Sequence, residues 1–140
     1  ATKENKRRLI GAINQLEAGG ATNFFDAFSV AFNSLSNTIR SESTSGCNIA
    51  ILFMTDGVIT EGHDEGAVTT LVNYQTRYLS LTYGRNTTVF TYSMGQGADH
   101  AVTKKLACKT GGIWSPVDDL SSDLVTAMSS YYKLYALGLG

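Results

Sequence analysis

The stretch Cys47-Asn48-Ile49-Ala50-Ile51-Leu52-Phe53-Met54-Thr55-Asp56-Gly57 decides how the rest of this chain reads. Ile49 to Met54 is unbroken by any polar residue, and Asp56-Gly57 closes the run with a turn pair. Such a run offers no side to water, so it reads as a strand covered on both faces, which occurs mainly in parallel sheets flanked by helices. Asp56 then stands at the carboxyl end of that strand, on the rim where open α/β sheets collect their ligands.

Working outward, the flanking periodicities alternate. Upstream, Leu9, Ile10, Ile13 and Leu16 fall at helical spacing, with Gly19-Gly20 as the stop. A second helix carries Phe24, Phe28, Phe32, Leu35 and Ile39 on one stripe; Thr22 or Asn23 can cap it, and Asp26 suits its first turn. The Ser-rich stretch Arg40 to Gly46 reads as a loop. Downstream come a helix from about Glu65 with Val68, Leu71, Val72, Gln75 and Leu79 inward, then a strand Val89 to Met94 ending at Gly95-Gln96-Gly97. A short helix from Asp99 to Cys108 stops at Gly111-Gly112, a brief strand Ile113 to Val117 is closed by Pro116, and a last helix spans about Leu120 to Leu137. Repeated strand-helix alternation defines an α/β layered domain with a mainly parallel, Rossmann-like sheet. Three strands are few for such a sheet, where about five or six are usual, so further N-terminal strands are expected upstream of Ala1. The chain opens on Ala1 without a signal-peptide pattern and reads as a piece of a longer protein.

Composition narrows the class. With 140 residues, 43% hydrophobic and 16% charged, the chain is neither disordered nor fibrous. No apolar run reaches the roughly 18 residues of a membrane span. Eleven Lys and Arg against twelve Asp and Glu leave no field to draw in nucleic acid. Lys3, Lys6, Arg7 and Arg8 read as the solvated face of a helix.

Asp56 has two readings: a carboxylate placed for an oxygen-preferring cation such as Mg²⁺ or Ca²⁺, or a plain turn residue. Thr22 likewise offers either a ligand hydroxyl or a helix cap. Glu61-Gly62-His63-Asp64-Glu65 is rich in potential ligands but lacks EF-hand spacing, which favours a solvated loop. No nucleophile elbow, phosphate loop or dinucleotide fingerprint is present. His100 with Cys108 has no third group to complete a thiol nucleophile. Cys47 and Cys108 both fall at the amino-terminal edge of the sheet and read as a disulfide pair, the other reading being two independent buried thiols. Asn86-Thr87-Thr88 is a glycosylation sequon at a loop-to-strand junction, and with the cysteines it tilts the compartment toward secreted or cell-surface.

The stretch from Cys47 to Gly57 resembles a von Willebrand factor type A domain, closest to that of the alpha-2-delta auxiliary subunits of voltage-gated calcium channels and related proteins that also carry Cache domains. The resemblance continues through Gly20-Ala21-Thr22-Asn23-Phe24, Val89 to Gly95, Leu106-Ala107-Cys108, Gly111-Gly112-Ile113-Trp114 and the Tyr-rich end from Tyr132 to Leu137. It implies a metal-ion-dependent adhesion site at the carboxyl edge of the sheet, where Mg²⁺ or Ca²⁺ is held by an Asp-x-Ser-x-Ser motif, a Thr and an Asp. Thr22 matches the Thr and Asp56 the Asp. Asp-x-Ser-x-Ser itself is absent: Asp119-Leu120-Ser121-Ser122-Asp123 fails at its last position. The resemblance therefore implies roughly the C-terminal two-thirds of the domain across residues 1–140, with weak or no metal binding by this portion alone. It further implies a non-enzymatic, extracellular binding module of a membrane-associated protein, such as an ion-channel auxiliary subunit. Its partner would be a protein that donates a carboxylate, a channel pore subunit or an extracellular ligand, with membrane attachment only through parts outside this chain. The alternatives are a structural or assembly domain with an incomplete metal site, and a subunit of an intracellular chelatase or ATPase-type complex.

Overall fold

The structure is a computed structural model and describes residues 2–17, 19–44, 48–118 and 126. Its elements run α1 (Lys3–Ile13), α2 (Phe24–Arg40), β1 (Ile49–Thr55), α3 (Glu65–Tyr83), β2 (Thr87–Met94), α4 (His100–Lys109) and β3 (Trp114–Val117). The described strands form one parallel sheet in the order β1-β2-β3, and α3 and α4 are the helical crossovers that parallel pairing demands. The fold is α/β, as the alternation of periods predicts.

Register fixes the layers. Ile51 pairs with Val89, Phe53 with Thr91 and Thr55 with Ser93, so these side chains share one face of the sheet. That face carries the core: Phe24 and Phe28 meet Phe53 at 4.9 and 4.6 Å between ring centroids, while Val68, Val72, Val102 and Leu106 join Val89. Helices α2, α3 and α4 therefore lie on this side, each presenting one apolar stripe inward. The other face carries Leu52, Met54, Phe90 and Tyr92.

Several expectations shift. The strand buried through its length is β2, where residues 89–93 are all buried; β1 is half-buried and Met54 is 41% exposed. Among the described strands, β2 is central and β1 borders only β2. Helix α1 ends at Ile13, well before Gly19-Gly20, and buries no residue. Leu9, Ile10, Ile13 and Leu16 are exposed, so nothing holds a further turn against the low intrinsic stability of so short a helix. Pro116 lies inside β3 rather than closing it; an edge strand tolerates the missing N–H. The last expected helix lies outside the described residues apart from Thr126, as do Asp119 to Asp123. Among the described residues, no helix is long and apolar enough to cross a membrane.

Candidate functional site

Three helices begin at the carboxyl edge of the sheet, and their caps build the rim. Asn23 Oδ1 accepts from the Asp26 N–H at 3.0 Å, Asp64 Oδ1 from Ala67 N–H at 2.8 Å, and Asp99 Oδ1 from Val102 N–H at 3.0 Å. The first of these decides between the two readings of Thr22. Asn23 caps α2, and the Thr22 hydroxyl is not used for that purpose.

It faces the end of β1 instead. A Cβ placed on Gly57 would lie 3.1 Å from Thr22 Oγ1, so the hydroxyl stands against the Asp56-Gly57 turn. Thr22 thus lies beside Gly57, the residue that follows Asp56. Thr60 holds Thr22 in place: the Thr22 N–H donates to Thr60 Oγ1 at 2.8 Å, and the Thr60 N–H donates to the Thr22 carbonyl at 3.0 Å. Thr60 went unnoticed in the sequence, where nothing marks a brace between distant loops. The turn itself is closed by Thr55, whose hydroxyl accepts from the Gly57 N–H and donates to the Gly57 carbonyl, both at 3.2 Å.

The second post-strand loop arrives from β2. Gly97 packs beside the Asp56 carbonyl, and the Asp99 N–H donates to the Gly57 carbonyl at 3.2 Å. The Asp56 side chain is exposed. A carboxylate and a hydroxyl are hard oxygen donors, the type that Mg²⁺ and Ca²⁺ prefer, although each ion needs about six ligands or more. Among the described residues, no three His, Cys, Asp or Glu side chains gather into a metal-binding group.

Residues 61–64 are exposed, as the reading of a solvated loop predicts, and the stretch also makes structural contacts. Asp64 is a cap, Glu65 pairs with Lys105 at 2.6 Å, and the His63 ring packs on Phe25 at 4.1 Å. Gly62 takes a φ of +81° and leaves no room for a side chain against Asn23.

His100 does not serve Cys108. Eight residues of helix separate them, about 12 Å along the axis, and His100 Nδ1 is 2.7 Å from Ser93 Oγ. Trp114 Nε1–H donates to the same oxygen at 2.9 Å. With its hydroxyl fully buried between these two rings, Ser93 pins the start of α4 and the start of β3 to the central strand. Cys108 is exposed and has no disulfide partner among the described residues, and Cys47, with which the sequence pairs it, lies outside them. Asn86 is exposed just before β2, its Oδ1 accepting from the Ser80 hydroxyl at 2.9 Å.

No protein-family model matches the chain.

Proposed function

We propose that this chain is the larger part of a von Willebrand factor type A domain, serving as an extracellular, non-catalytic protein-binding module in which Thr22 and Asp56 contribute to holding Mg²⁺ or Ca²⁺. The observation that carries this reading is the placement of the Thr22 hydroxyl against the Asp56-Gly57 turn at the carboxyl end of β1. Capping by Asn23 leaves that hydroxyl available, and the Thr60 brace keeps it there. A bound cation at this rim would present an open coordination position to a carboxylate of the partner. The exposed sequon at Asn86 suits the same compartment and a channel-accessory or other cell-surface protein. Two ligands from this chain, without the Asp-x-Ser-x-Ser motif, make a partial site that holds metal weakly.

Mn²⁺ tests this directly, because its paramagnetism reports even weak occupancy. In NMR spectra of the 140-residue chain, low Mn²⁺ is expected to broaden the amides of Thr22, Asp56 and Gly57 first, and Asp56→Ala to abolish that focus. Broadening spread evenly over exposed carboxylates would contradict the site. Calorimetry giving micromolar Mg²⁺ affinity for this chain would contradict the partial-ligand reading.

A further inference from the structure

Helix α3 has a second apolar seam that flanks its buried stripe on the side next to α2, and Leu71, near the start of that seam, still packs against the core. Its buried stripe is Val68, Val72 and Leu79. Ala67, Leu71, Tyr74, Tyr78 and Leu81 follow one another at spacings of four, three, four and three, the a/d rhythm of a helix that packs along another helix. Within this seam Ala67 and Leu71 are half-buried, while Tyr74, Tyr78 and Leu81 are 65%, 38% and 75% exposed. An apolar stripe that extends past the core-facing residues of a helix is ordinarily covered as well. The seam spans about 21 Å along the helix axis, close to four turns.

The surface beside the seam is shaped and charged. One depression of about 410 Å³ opens between Phe25, His63, Leu71 and Tyr74. A second of about 340 Å³ lies between α2 and α3, where Arg40 faces Tyr78 and Tyr83. A third of about 320 Å³ runs along Arg77 and Leu81. Tyr74 and Tyr78 lie nearly parallel, their planes 11° apart, and Tyr83 meets Tyr78 edge-on at 5.9 Å. A hydrogen bond with Tyr78 raises the Tyr83 hydroxyl above its ordinary value. Arg40 and Arg77 are exposed on either side of the seam, and no acidic residue lines any of the three depressions. Tyr and Arg around apolar hollows are the side chains that dominate binding energy at protein interfaces.

We infer that this flank of α3, beside α2, is a docking surface for an amphipathic helix of a protein partner, one whose apolar seam is bordered by Asp or Glu. The 4-3-4-3 spacing selects a helix over an extended peptide. Charge selects its flanks, since Arg40 and Arg77 repel a basic helix and meet an acidic one. A second copy of this chain fits poorly through α1: the exposed apolar residues of that helix are accompanied by Lys6, Arg7 and Arg8. This surface lies on residues separate from Thr22 and Asp56 and does not depend on metal.

Two synthetic 18-residue helical peptides test the inference, both with Leu at a and d, one with Glu and one with Lys at e and g. Mutual repulsion of the like charges keeps each from pairing with itself. Titrated into the ¹⁵N-labelled 140-residue chain, the Glu peptide is expected to shift amides from Leu71 to Leu81 and near Arg40, and to bind at least about tenfold more tightly than the Lys peptide. Arg40→Glu with Arg77→Glu should reverse the preference, Tyr74→Ala should weaken the Glu peptide by about tenfold or more, and Asp56→Ala should change neither. Because the two peptides are compared on the unaltered chain, the charge test stands even where a variant unfolds. Equal binding of both peptides, shifts elsewhere, or no shift at millimolar peptide overturns the inference. Sedimentation showing a dimer that Tyr74→Glu dissociates overturns it in favour of a second copy.

Discussion

At the scale of single residues, the two glycines after α4 have different causes that their adjacency hides. Gly111 takes a φ of +71° with open space around it, the left-handed step that lets a helix end. A Cβ on Gly112 would overlap the carbonyl of Val89, because the chain crosses the central strand there at backbone contact. Gly111→Ala is expected to cost about 1 kcal/mol. Gly112→Ala should cost about 3 kcal/mol, since rigid backbone on both sides cannot yield. Chemical denaturation of the two variants separates the cases. Equal losses would mean that both positions serve only the turn.

At the scale of elements, α2 depends on its cap and on its aromatic stripe. Asn23→Ala should remove about 1 kcal/mol of stability, whereas Thr22→Ala should change thermal stability by less than about 0.5 kcal/mol, because its hydroxyl caps nothing. Calorimetric melting of both variants checks the contrast, and a larger loss for Thr22 would reassign the cap. Much of this level was legible in the sequence. The stripe Phe24, Phe28 and Phe32 faces inward as its spacing predicts, and the turn at Asp56-Gly57 ends β1 where the apolar run stops. What periodicity cannot convey is which of two adjacent cap-forming residues is used, since Thr22 and Asn23 are equally suited by type. Nor can it reveal Thr60, whose brace on Thr22 is a contact between loops and leaves no local pattern. The seam of Tyr74, Tyr78 and Leu81 escaped notice for another reason. A search for one buried stripe per helix stops once Val68, Val72 and Leu79 have been found.

At the scale of the whole molecule, the core is assembled from α2, β1, α3, β2 and α4, and α1 stands apart from it. Removal of residues 2–17 is therefore expected to leave the denaturation midpoint of the remaining fold within about 0.5 kcal/mol of its original stability. Amides of α1 should exchange with deuterium far faster than those of β2, for a helix that short has little stability of its own. Protection of α1 equal to that of β2 would show that it is covered in solution. The unbroken apolar run of β1 identified a parallel sheet correctly, yet the more deeply buried strand is β2, the central one among the described strands.

The rim of the sheet is laced before any ligand arrives. Both backbone groups of Thr22 are tied to Thr60, the turn at Gly57 is tied to the start of α4, and Asn23 Nδ2 donates to Asp26 Oδ2 at 2.8 Å. A ligand settling beside Asp56 would meet loops that have already given up their freedom, so little of its affinity would be spent on ordering them. Discrimination at such a rim then rests on the distances between its oxygens, and small changes in ligand size should matter more than changes in ligand flexibility.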